Sequence, residues 1–247
     1  MFHQLFYKPM YNILVFILDI LPTHDVALAV IVLTVFIKIV LLPLSHKMFK
    51  TQIIQRKIQP LINKIQEEYK DNRQMLGVKM LEIYKEYKLN PFSSILLMII
   101  QIPIVFALYF VFANGGLPNI NMADLYSFTP NVDTINHILY GVDFTKANIM
   151  VGLLAALFQY IQIRLSLQNM TPVDKNKPNK DLKPEEMMQK QMGFMMKYFI
   201  PILIFVASLK VSAAVALYWI VSSVFMIAQE LYFRNKYKEE LLDLKKK

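Results

Sequence analysis

Lys38 is the lone full charge inside Val26 to Ser45, VALAVIVLTVFIKIVLLPLS, and its type and position call first for a chemical reason. An ammonium near the centre of a membrane-spanning helix costs on the order of 2.5–3.5 kcal/mol on insertion scales, so something should offset it. Two readings stay open. Lys38 faces a bundle interior or wet cavity where it attracts an anion, or its flexible stem snorkels toward His46 and Lys47 at the interface. Further polar side chains interrupt stretches that are otherwise apolar: Gln101, Gln159, Gln162, Tyr218, Trp219, Ser222, Ser223 and Gln229. Gln159 and Gln162 are three apart and share a helix face. Gathered around Lys38, the set would line a hydrated, positively charged recess. Gathered around one another, the same residues would glue helices together by hydrogen bonds of about 0.6 kcal/mol apiece. Covalent and metal chemistry find no footing here. There is no cysteine, His3, His24, His46 and His137 form no HExxH, and GxSxG, P-loop and GxGxxG patterns are missing. The expectation is a protein that is not an enzyme, needs no metal or cofactor, and does not hydrolyse ATP.

The elements that must position these residues follow from the blocks of hydrophobicity. The chain has 247 residues, 55% hydrophobic and 18% charged, and its apolar residues are concentrated in long runs, the profile of an all-α polytopic membrane protein. Twenty helical residues at ~1.5 Å each cover the ~30 Å hydrocarbon core. Five transmembrane helices are expected on that basis: 26–45, 91–113, 148–167, 192–209 and 213–231. Residues 1–25 hold an apolar run too short to span. A cleavable signal peptide ending near Ala27-Leu28-Ala29 is one reading. The favoured one is an N-terminal interfacial helix anchored by Phe2, Phe6, Tyr7 and Tyr11. Pro43 is expected to help end the first span. Residues 46–90 then repeat apolar positions at helical spacing (Ile54, Ile58, Leu61, Ile65, Tyr69, then Leu76, Met80, Ile83, Tyr87), interrupted at Asp71-Asn72. That pattern predicts a helical hairpin with a kink at Pro60. Asn90-Pro91 reads as the cap and first residue of the second span. The 114–147 loop carries Tyr126, Phe128, Tyr140 and Phe144, which suggest contact with headgroups. A polar loop at 168–191 and a basic tail at 232–247 complete the chain, with Lys210-Val211-Ser212 breaking the last two spans apart and Lys197 snorkelling.

Charge placement orients this arrangement. Ten basic residues lie in 46–90, seven between Arg164 and Lys197 and six from Arg234 onward, whereas the opposite side holds Lys8, Lys146 and Lys210. The positive-inside rule puts the hairpin, the 168–191 loop and the C-terminus in the cytoplasm and the N-terminus outside. The same rule accounts for the net charge of +9 without a DNA ligand, although ribosomal RNA remains a target for the tail. Five methionines between Met187 and Met196 offer either an adaptable apolar surface or ordinary gap-filling.

Several blocks in order, FIKIVLLPL, IQPLINKIQEEYK, NPF with IQIP and ALYF, VDFT at Val142 to Thr145, and ALYWIVSS, resemble the YidC/Oxa family of membrane protein insertases over essentially the whole chain. The resemblance implies a five-helix core with a hydrophilic groove open to the cytoplasm and to lipid. It also implies nascent membrane proteins as substrates, the ribosome and a Sec-type translocon as candidate partners, and a bacterial cell (inner) membrane location. In it the family's groove cation, commonly arginine, corresponds to Lys38, the third-span glutamine to Gln162 and the final-span aromatic to Trp219. Lysine keeps the charge but not the planar, bidentate fork of arginine. The alternatives to an insertase are a small-solute transporter or channel, which would usually show internal repeats, and a passive assembly factor for membrane subunits.

Overall fold

The computed structural model describes residues 1–89, 93–113, 117–167 and 184–238, and these are mainly helical, the 117–147 connection being the chief exception. A π-helical turn, His3–Tyr7, runs into α1 (Lys8–Ile20). After a short turn come α2 (Val26–Glu68), α3 (Arg73–Glu86) and α4 (Ser93–Ala113). A small antiparallel hairpin, β1 (Ile138–Leu139) with β2 (Val142–Asp143), precedes α5 (Ile149–Leu167). The chain ends with α6 (Pro184–Phe194), a π-helical stretch Met195–Phe199, α7 (Ile200–Ser208) and α8 (Ala213–Lys236).

Four segments are long and apolar enough to cross a membrane: Val26–Gln55, Ile149–Leu167, Lys190–Ser208 and Ala213–Lys236. α4 is apolar as well, and its stretch Ile99–Ala113 falls short of that length. The Asn90-Pro91 start expected for it lies outside the described residues, as do 168–183 of the expected loop and the last nine residues of the tail.

Local chemistry explains several boundaries. Asp25 caps α2 by accepting from Leu28 N at 2.9 Å, and Asn72 caps α3 by accepting from Met75 N at 3.0 Å. Asn148 does the same for α5, taking Val151 N at 3.1 Å. The regular helix does not end near Pro43: α2 continues through both Pro43 and Pro60. A proline inside a helix costs about 3 kcal/mol. What carries the helix past Pro43 is the packing beyond it, where Phe49 and Ile53 are buried with Phe233 and Tyr237 from the end of α8. His46 adds a hydrogen bond to the Tyr237 hydroxyl at 2.6 Å. Farther along, Ile58 and Ile62 bury against Ile83 and Leu89, which seats α3 on α2.

The main core forms where α1, α2, α4, α5 and α8 meet the 117–147 connection. Tyr7 and Tyr11, expected as interfacial anchors, are instead buried there, and the Tyr11 hydroxyl accepts from Asn121 N at 2.8 Å. Phe2 and Phe6 do lie exposed. Phe144, expected against headgroups, is also buried, because its N–H is bound to His137 O and its carbonyl receives Ala214 N. Phe128 and Tyr140 project outward. One side chain holds the connection down. Asn12 donates to Lys8 O and Asp124 O and accepts from Tyr126 N and the Thr129 hydroxyl, all within 2.9 Å. Every hydrogen-bonding capacity of that buried amide is used.

Candidate functional site

Lys38 is 7% exposed, so its stem does not carry the ammonium out to the interface. Its Nζ donates to Gln101 Oε1 of α4 at 3.4 Å. The Gln101 amide in turn donates through Nε2 to the hydroxyl of Tyr218, a fully buried residue of α8. Three helices thus contribute one residue each to a buried polar chain. The order of donors fixes the amide: its carbonyl is turned to the cation because its NH2 is engaged by Tyr218. Among the described residues, no carboxylate makes an ion pair with Lys38.

A second polar set joins α5 to α8. Gln159 Nε2 donates to Gln162 Oε1 at 3.0 Å, and Gln159 Oε1 accepts from the Ser223 hydroxyl at 3.0 Å. Tyr218 and Ser223 are five residues apart on α8, about 7.5 Å along its axis, so that helix carries both sets. Ser222, one turn after Tyr218, is buried beside them in sequence. Trp219 is partly buried and packs on the main apolar core. Gln229 is partly buried nearly three turns farther on. The polar residues singled out in the sequence therefore do not close into a single ring around Lys38. They divide into a cationic set and a neutral set that share α8.

The close approach of neighbouring helices follows from small residues. A Cβ placed on Gly152 of α5 would overlap the Ser208 hydroxyl at the end of α7. Ser208 turns that hydroxyl back to its own backbone, donating to Phe205 O at 2.6 Å. Arg234 near the end of α8 donates to Leu165 O in the last turn of α5 and bonds Glu230 at 3.2 Å. This satisfies a carbonyl that the helix end leaves open. Neither Asn12 nor Arg234 was singled out for its role by sequence reasoning. Asn12 left a signal, as an amide inside the apolar run from Met10 to Leu21. Arg234 left none among the tail's other cations. No group of three metal-ligating side chains occurs among the described residues.

An apolar trough of about 360 Å3 lies elsewhere, lined by Gln191, Met192, Met195, Met196, Phe199 and Ile200 and by none of the partners of Lys38.

These features define a polytopic helical membrane protein that keeps a lysine and a group of amides and hydroxyls buried among its spans. The 60Kd inner membrane protein family model matches residues 19–240, and the chain belongs to that family, the YidC/Oxa family. Among its relatives are the proteins named membrane protein insertase YidC in Staphylococcus aureus strains JH9, Newman and JH1. Each is 30% identical over 252 residues, covering 97% of this chain and 77% of the relative.

Proposed function

We propose that the protein is a membrane protein insertase in which Lys38 draws the hydrophilic, often acidic, outer segment of a nascent membrane protein partway across the bilayer. The observation that carries this reading is the buried ammonium bound to one neutral acceptor, Gln101, with no carboxylate paired to it among the described residues. A buried charge left without a counter-ion is costly. An entering carboxylate supplies what is missing, and a hydrated groove open to the cytoplasm and to lipid gives it a path.

The substrate's apolar segment leaves along the lipid-facing sides of α5 and α8, and its burial in lipid supplies the driving force without ATP. An inside-negative potential adds ~2.3 kcal/mol per acidic charge for each 100 mV in the outward direction. Gln162, Ser222, Ser223 and Trp219 line the path. Gln101 and Tyr218 hold the cation at its head. In this reading α4 is the fifth crossing, α1 lies at the outer interface, and the N-terminus is outside. The α2–α3 hairpin and the tail sit in the cytoplasm, at the bacterial inner membrane, where they receive cargo from a ribosome or a Sec-type translocon. The insertase names of the Staphylococcus aureus relatives support this assignment.

The test replaces Lys38 by leucine, alanine and arginine and measures insertion of a single-span substrate with an acidic tail into liposomes. Lys38→Leu and Lys38→Ala lose insertion and Lys38→Arg retains it. Indifference to all three points to a passive assembly factor. Solute flux through the reconstituted protein, with insertion absent, points to a transporter.

A further inference from the structure

A pair of cations lies where α5 ends and the Lys190–Ser208 span begins. The π-helical stretch Met195–Phe199 resets the side-chain register of that span and places Lys197 over two tyrosines. Its Nζ is 4.9 Å from the Tyr198 ring centroid and 5.7 Å from that of Tyr160 on α5. The Tyr160 and Tyr198 rings are 6.0 Å apart, and Phe194 extends the platform at 4.8 Å from Tyr198. Arg164 follows Tyr160 by one turn on the same face of α5. It is exposed.

Among the described residues, neither cation takes part in an ion pair. The Lys197 ammonium lies over the Tyr198 and Tyr160 rings. Arg164 is three residues from the end of α5 and Lys197 seven residues into its span, so both reach the depth of headgroup and glycerol by extending their stems. The methionine trough lies on a different face of the Lys190–Ser208 span and is lined by none of these residues. Positive charge at headgroup depth with an aromatic platform beneath it matches an anionic headgroup above the start of an acyl chain.

We propose that this corner is a binding site for an anionic phospholipid, its phosphate held between Arg164 and Lys197. Arg164 offers a planar fork to the phosphate oxygens and Lys197 a point charge. The bound lipid links α5 to the Met195–Phe199 stretch. The site is separate from Lys38 and holds whether or not the insertase reading does.

The full chain, purified in neutral detergent, is incubated with phosphatidylglycerol or with phosphatidylcholine of the same acyl chains, and retained lipid is counted by native mass spectrometry. The wild type retains phosphatidylglycerol in preference to phosphatidylcholine, and affinity falls roughly 5-fold for each of Arg164→Gln and Lys197→Gln. Lys197→Arg keeps it, and Lys210→Gln, at the other end of the span, leaves it unchanged. The rise in melting temperature that phosphatidylglycerol gives is read alongside for each variant, and it shrinks for Arg164→Gln and Lys197→Gln. Equal retention by the variants overturns the proposal, and so does equal retention of the two lipids. Displacement of the lipid by soluble glycerol phosphate at matching concentration also overturns it, since the site would then hold a bare anion.

Discussion

Replacing Gln101 by glutamate tests what the cation at position 38 is for. The substitution changes an amide oxygen 3.4 Å from Lys38 Nζ into a carboxylate oxygen with almost no change in volume. At that separation and an effective dielectric of ~20, the pair attracts by about 5 kcal/mol. Taking more than half of this for desolvation of the new carboxylate leaves a net attraction of about 2 kcal/mol. An entering acidic segment must then compete with a resident one, and insertion slows roughly 30-fold.

The assay is insertion of an acidic-tailed, single-span substrate into proteoliposomes, with the melting temperature of each variant measured alongside. Gln101→Glu keeps or raises the melting temperature and loses insertion. Gln101→Leu removes the acceptor and leaves the ammonium bare, so it lowers the melting temperature and keeps insertion per folded molecule. The two variants thus move the two readouts in opposite directions. If Gln101→Glu inserts at the wild-type rate, the free positive charge is not what draws the substrate, and the reasoning fails.

Two further outcomes concern the 117–147 connection. Asn12→Leu removes every bond that side chain makes to the connection and strands Tyr126 N–H and Asp124 C=O, a loss of about 3 kcal/mol. Hydrogen exchange at 121–129 should quicken well below the melting temperature of the bundle, and unchanged protection there would contradict the role given to Asn12. In the β2 turn, hydrogen bonds from Thr145 and the neighbouring Lys146 hold the Asp143 carboxyl down at about 2, below its ordinary 3.8. A carboxyl lowered on folding contributes stability that is fully present above 3.8 and is lost as pH falls toward 2. Thermal melts of Asp143→Asn should lack that part of the acid dependence, and a slope identical to the wild type would refute it.

Much of the architecture was legible because hydrophobic runs and caps are local signals. Asp71-Asn72 marks the turn between α2 and α3, and Lys210 to Ser212 separates α7 from α8, as the polar interruptions there indicate. Pro43 misled because a proline's local penalty is smaller than the packing of Phe49 and Ile53 beyond it. Tyr7, Tyr11 and Phe144 misled for a related reason. An aromatic side chain suits a headgroup layer and a protein core equally well, and only tertiary contacts choose between them. At the site, the polar residue types and the helical pairing of Gln159 with Gln162 could be read directly. That Gln101 would meet Lys38, while the two glutamines of α5 would turn to Ser223, depends on how α4 and α5 are set around α8. No spacing within a single helix encodes that.

The unbroken course of α2 has a mechanical consequence. Its 43 residues make a rod of about 65 Å, more than twice the thickness of the hydrocarbon layer. From Lys38 to Glu68 the lever arm is about 45 Å, so a sideways push of ~4 Å at the far end swings it by about 5°. Pro43 and Pro60, each with one backbone bond missing, are the soft joints along that arm. A load applied where α3 is seated therefore bends the arm at these prolines first, and only the remainder arrives as torque at the buried ammonium.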